Sequence, residues 1–148
     1  TRERFNATRE WHFAEIYSNR PNIPEACFGQ KPLPEGVLAS KGPADACVID
    51  KIDQFKAELA DPKTDPAERL LALKFLLHLV GDVHAPLHVA DNHNGFGKLL
   101  SVAAEDKSIT PGTLYGHWSR AFVYRLGHDV NQVAEKLIAD ITPEEQAM

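Results

Sequence analysis

From Pro43 onward the apolar positions keep a helical period. Val48, Ile52, Phe55 and Leu59 form one stripe, Asp50, Lys51, Asp53, Lys56 and Glu58 fall off it, and Asp61-Pro62 stops the segment. Asp65-Pro66-Ala67-Glu68 then announces a second helix with an N-cap, a proline at the first position and a glutamate at the third. That helix runs to about His84. It carries Leu70, Leu71, Leu73, Phe75, Leu76, Leu77, Leu79, Val80 and Val83, apolar on most sides, and so predicts the buried centre of a bundle. The helical pattern resumes from Leu114 to Leu126, with Trp118, Phe122 and Leu126 four apart. A further helix places Val130, Val133, Leu137, Ile138 and Ile141 on one face. Between these two, Gly127-His128-Asp129 reads as a turn with Asp129 as N-cap. Thr142-Pro143-Glu144-Glu145 is another capping box with little sequence after it, from which we expect a fragment, or a chain completed by a partner.

The rest is less periodic. Trp11 to Tyr17 is a short aromatic run that reads as a strand or extended segment. Ser18 to Gly42 is rich in Pro, Gly and Asn and reads as a long ordered loop, pinned by Cys27. From Ala90 to Gly112, Leu99-Leu100-Ser101-Val102 and a turn at Glu105-Asp106 suggest a short hairpin. The expected architecture is all-α: one helical domain over residues 1–148, bundled around the helix from Pro66 to His84, with a short β-hairpin.

Composition narrows the function classes. The 148 residues are enough for one real core, and 43% hydrophobic with 25% charged residues is ordinary globular composition. A net charge of -5 leaves no basic footprint for wrapping duplex nucleic acid. No stretch approaches the roughly 20 apolar residues of a membrane span, and no signal-peptide pattern follows Thr1. Cys27 and Cys47 could form one disulfide. No Gly-x-Ser-x-Gly elbow occurs and neither cysteine adjoins a histidine, so covalent catalysis has no support.

The chemistry is concentrated in His78-Leu-Val-Gly-Asp82-Val-His84-Ala-Pro86-Leu-His88, which holds three of the seven histidines. On a helix, His78 and Asp82 have Cβ atoms roughly 5–6 Å apart. An imidazole and a carboxylate at that spacing can share a divalent cation. Pro86 turns the chain and biases Ala85 away from the helix, bringing His88 back toward the same point. Burying His78 and Asp82 unpartnered would cost several kcal/mol, which a bound metal offsets.

The run from Ala72 through His78, Asp82, His84, Pro86 and His88 to Val89 resembles the central helix and turn of the nuclease S1/P1 family. Trp11-His12-Phe13, Cys47-Val-Ile and Leu114 followed by Trp118 extend the similarity, with gaps, from about Trp11 to Ile141. The family comprises helical, zinc-dependent, single-strand-specific nucleases and 3'-nucleotidases, related in fold to zinc phospholipases C. The resemblance implies that His12, His78 and Asp82 are zinc ligands, with Asp82 the catalytic carboxylate bridging two zincs of a three-metal site. It implies that His88 holds a further zinc and that Phe13 stacks a nucleobase. His84 is no ligand in that pattern, and we expect it to hydrogen-bond and orient a ligand. The implied reaction is in-line attack of an activated water on a phosphodiester of single-stranded DNA, RNA or a nucleotide. The implied location is secreted or periplasmic.

The chain departs from the pattern at several positions. The family's mature N-terminal tryptophan, a following histidine and a later aspartate have no counterpart after Thr1. Tyr115 and Ser119 stand where a histidine and an aspartate would join His88 on its zinc, and Asn94-Gly95-Phe96-Gly97-Lys98 replaces Asp-Arg-Gly-Gly-Asn. His117, about 200° round a helix from Tyr115, is no simple substitute. Fewer than three zincs are therefore expected. The rival expectations are a degenerate relative that keeps the helical core without turnover, and a phospholipase C-like hydrolase. His93 reads as a solvated turn residue, and Trp118 and Phe122 as core.

Overall fold

A computed structural model describes residues 7–19, 21–22, 24–27, 33–43, 46–103, 105 and 111–146. The chain is mostly helical, as expected, and divides into two compact units, residues 1–96 and 97–148.

The first unit is built on two helices, α1 (Val48–Ala60) and α2 (Pro66–His84), followed by one short turn of helix, α3 (Pro86–Val89). The start of α2 was legible: the Asp65 carboxylate accepts from Ala67 N at 2.8 Å and Pro66 opens the first turn. Glu68 does not close a box, because its carboxylate takes the Ser40 hydroxyl at 2.8 Å. At the other end Ala85 is extended ahead of Pro86, as a residue before proline prefers.

Several expectations are corrected. The aromatic run at residues 11–17 is mostly not a strand: Arg9–His12 is a 3-10 turn, and only Ile16–Tyr17 (β1) is extended and paired. The reason is Trp11, whose buried indole donates to Pro43 O at 2.8 Å and so draws its segment onto the core. That bond also occupies the carbonyl of Pro43, and α1 begins at Val48 rather than at Pro43, with Cys47 extended before it. Residues 44–45, the first turn of that expected helix, lie outside the described residues. Lys51, read as part of the polar side of α1, is fully buried. Its ammonium sits 3.8 Å from the Trp11 ring centroid and donates to Ala39 O at 2.8 Å. Burial lowers its pKa to about 8, against the charges of Glu58 and Asp50, which raise it.

Trp11 is the keystone of the core. It meets Phe55 of α1 edge-on at 6.2 Å and Phe75 of α2 at 5.7 Å, while Phe55 and Phe75 stack at 4.6 Å. Ala72 and Leu79 complete the α2 contribution. The other side of α2 is not covered: Leu70, Leu73, Leu77 and Val80 are exposed, so α2 is not the enclosed centre that its composition predicts. Within this unit α2 packs on α1 and two 3-10 turns, Arg9–His12 and Ala39–Lys41, which cover one flank of a helix that is apolar on several. Cys27 and Cys47 form a disulfide, closing the loop that precedes α1. An unexpected parallel pair joins β1 to β2 (Ala90–Asp91), in register Ile16 with Ala90 and Tyr17 with Asp91.

In the second unit β3 (Ser101–Val102) pairs antiparallel with β4 (Gly112–Thr113). Leu99 and Leu100 fall before the strand, and Asp106 of the expected hairpin turn lies outside the described residues. Thr113 Oγ1 accepts from Gly116 N at 3.0 Å and caps α4 (Leu114–Gly116). The helix continues through a π-helical turn, His117–Ala121, into α5 (Phe122–Leu126). The wide turn shifts the side-chain stripe. Trp118 and Phe122, expected in the core, are exposed, as is Leu126, and the buried residue is His117. Asp129 caps α6 (Val130–Ala139) as expected, accepting from Asn131 N and Gln132 N. The capping box at Thr142 forms too, with Thr142 N donating to Glu145 and Glu145 N to Thr142 Oγ1, ahead of α7 (Pro143–Gln146). No helix among the described residues is long and apolar enough to cross a membrane.

Candidate metal centre

The last two turns of α2 and the 3-10 turn at Arg9–His12 meet through three side chains. His12 Nδ1 lies 2.8 Å from Asp82 Oδ2, His78 Nε2 lies 3.1 Å from His12 Nδ1, and His78 Nε2 lies 3.4 Å from Asp82 Oδ2. His78 and Asp82 are four positions apart on the helix, so their convergence is local. His12 is brought to them from far along the chain by the burial of its neighbour Trp11.

The donor set fits a metal ion. Zn–N bonds of about 2.0–2.1 Å put tetrahedral ligands about 3.3 Å apart, close to the three separations seen here. Protons alone serve these atoms poorly, since His12 Nδ1 carries at most one proton and two acceptor-capable atoms compete for it. A divalent cation at their centre engages all three lone pairs. Asp82 and His12 are largely shielded while the His78 side chain is 60% exposed, so the cluster opens to solvent on the His78 side.

His88 reaches the same place through the turn at Pro86. Its Nδ1 donates to His12 O at 2.9 Å and stands 3.4 Å from Asp82 Oδ1. A backbone bond at Nδ1 fixes the ring and, in the neutral imidazole, directs the lone pair to Nε2, the usual arrangement behind a metal-binding histidine. Asp82 thus presents Oδ2 to His12 and His78, and Oδ1 toward His88. The backbone braces the approach: Ala14 N donates to His88 O at 3.0 Å and Val48 N to Phe13 O at 3.0 Å, the latter satisfying an orphan donor at the start of α1.

Phe13 lies beside the cluster, stacked on His88 with centroids 4.7 Å apart and planes 15° apart, and 4.7 Å from the Phe96 ring. His84 stays outside: its Nδ1 donates to Val80 O at 2.7 Å, one turn back on its own helix, and not to a ligand. Tyr115 and Ser119 belong to the helix of the second unit, where Tyr115 receives the Lys98 ammonium over its ring at 4.8 Å. Cys27, Cys47 and Asp50 also converge, but the two sulfurs are spent in the disulfide.

Two residues near the site escaped the sequence reading. Phe96 was not anticipated beside Phe13; its backbone is left-handed (φ 60°), which a phenylalanine gives no reason to expect. Asp91 is buried and accepts from Asn92 N, Asn94 N and Phe96 N. Burial raises its pKa, but the three N–H groups and His93 outweigh that, and the carboxyl titrates below its ordinary value. Its signal was the turn-rich Asp91-Asn-His-Asn-Gly95, where an aspartate organises its own backbone.

No curated protein matches the chain. The family described as S1/P1 Nuclease matches residues 1–147, nearly the whole length, and the chain belongs to that nuclease family.

Proposed function

We propose that the chain is a zinc-dependent phosphodiesterase that hydrolyses single-stranded nucleic acid and 3'-nucleotides. The observation that carries this reading is the convergence of His12 Nδ1, His78 Nε2 and Asp82 Oδ2 within 4.8 Å of one another, at the start of a family-type His-x3-Asp-x5-His turn. His12, His78 and Asp82 hold the metal, and His88 adds a ligand through Nε2, its Nδ1 being taken by the His12 carbonyl. Bound there, zinc supplies a water of lowered pKa and offsets charge developing on the phosphoryl oxygens. Asp82 keeps His12 and His78 aligned, and the His12 carbonyl sets the ring of His88. Phe13 holds a base beside the scissile ester through its ring, which an unpaired base can reach and a stacked duplex base cannot. The Cys27–Cys47 disulfide supports an oxidising, secreted setting.

A second reading rests on Tyr115, Ser119 and Phe96, which stand where the family's residues differ: a relative that retains zinc but does not turn over. The test is cleavage by zinc-loaded protein of single-stranded DNA, duplex DNA and phosphatidylcholine vesicles. Cleavage of the single strand, abolished by chelator and restored by zinc, is the expected result. Zinc binding with no cleavage of any substrate selects the second reading, and cleavage of the lipid alone selects a phospholipase.

A further inference from the structure

The metal centre draws on residues of the first unit alone and uses no part of the helix in the second. In that helix His117 is 5% exposed, and neither Nδ1 nor Nε2 has a hydrogen-bond partner among the described residues. The ring of Phe122 lies against it, with centroids 6.4 Å apart, and satisfies neither nitrogen. Buried polar atoms in folded chains are nearly always paired, because burial strips their water and an unpaired atom recovers nothing. His117 also opens the π turn, His117–Ala121. A single wide turn of this kind is rare in helices and recurs at functional sites.

The imidazole borders a hollow of about 320 Å³, lined by Gly112, Gly116, His117, Arg120, Ala121 and Tyr124. That volume stands at the lower end for small-molecule sites. Gly112, Gly116 and Ala121 bring no polar side chain to the wall, so the body of an occupant is apolar. Arg120 is the one fixed charge on the lining; it is exposed and forms no ion pair among the described residues. A guanidinium matches a carboxylate with two parallel bonds, and the His117 ring offers a further bond from within the wall. No acidic side chain lines the hollow to repel an anion. A phosphate would bring up to two charges to a single guanidinium, in a chain of net charge -5, and would leave the apolar wall unfilled.

We infer that this hollow binds a small organic carboxylate with an apolar body. Arg120 and the His117 ring hold the head, and Gly112, Gly116 and Ala121 line the place of the body. The site shares no residue with the metal centre and stands whether or not the chain hydrolyses nucleic acid.

The test is titration of the full chain with hexanoate, hexanol and inorganic phosphate, in chelator so that no metal competes for the anion. Binding is followed by calorimetry and by NMR of the histidine rings, with the His117 signals identified from His117→Gln. Hexanoate should shift those signals and saturate at one per chain. Hexanol lacks the head and phosphate lacks the body, and each should bind at least about tenfold more weakly. Arg120→Gln, at an exposed position, should weaken hexanoate at least about tenfold. Ala121→Leu, which fills the hollow, should abolish binding with helicity unchanged; where it loses helicity, Arg120→Gln decides. Hexanoate that leaves His117 unmoved overturns the site, as does equal affinity in Arg120→Gln. Hexanol binding as tightly as hexanoate would make the hollow an apolar crevice, and phosphate doing so would make it a plain anion site. Either result overturns the carboxylate assignment.

Discussion

In the first unit Trp11, Phe55, Phe75 and Leu79 close into a core around a fully buried lysine. In the second, Val130, Leu137 and Ile138 of α6, and Ile141 just beyond it, are all exposed. Both units have well-capped helices: Asp65 serves α2 as Asp129 serves α6. Capping is local chemistry and forms wherever the residues permit. Burial is not local, because it needs a second surface, and the first unit has one in the α1–α2 pair. The candidate chemistry follows burial. His12 and His88 reach Asp82 because Trp11, the disulfide and the β1–β2 pair fasten distant segments together, whereas in the second unit the β3–β4 pair joins segments much nearer in sequence.

The contrast can be broken most sharply by paired core substitutions. Phe55→Ala should cost about 3–5 kcal/mol, because it empties the stack between Trp11 and Phe75. Ile138→Ala, on an exposed face, should stay within about 0.5 kcal/mol of the parent. Chemical denaturation of the two variants measures both. Comparable losses would mean that α6 is buried in solution and that the two units are alike.

Reduction of the Cys27–Cys47 bond is the next largest effect. Its loop spans 20 residues in sequence, which in the chain-entropy account gives about 3 kcal/mol. Hydrogen exchange should quicken through α1 and leave α6 as it was. An even response across both helices would show that they unfold as one body.

The smallest effect concerns pH. Lys51 titrates near 8 in the folded chain and near 10.5 unfolded. Between those values the unfolded state holds the extra proton, so stability should rise with pH across that window and be insensitive to Lys51 below it. In Lys51→Met the rise should vanish. A parent that loses stability from pH 8 to 10, at the same rate as the variant, would show that the ammonium is not buried.

What the sequence disclosed divides along the same line. The bounds of α2, the caps at Asp129 and Thr142, and the pairing of His78 with Asp82 each depend on residues within one or two turns, and they were legible. Lys51 looked like a solvent-side residue because its partner, Trp11, lies far away in sequence. The parallel pairing of Ile16–Tyr17 with Ala90–Asp91 was hidden for the same reason. Trp118 and Phe122 kept a helical spacing that a π turn then rotated, and nothing in their periodicity marks such a turn. The exposed flank of α2 was unreadable because composition reports how apolar a helix is and not how many neighbours cover it.

The central claim is that His12, His78 and Asp82 form a zinc site, and zinc binding tests it most directly. Protein purified without chelator or affinity metal is assayed by mass spectrometry and by competition against a chromophoric chelator, alongside His78→Ala and Asp82→Ala. The account predicts bound zinc in the parent and affinity at least about 100-fold weaker in both variants, with helicity almost unchanged. A parent without zinc, or variants that bind it as tightly as the parent, would contradict the account.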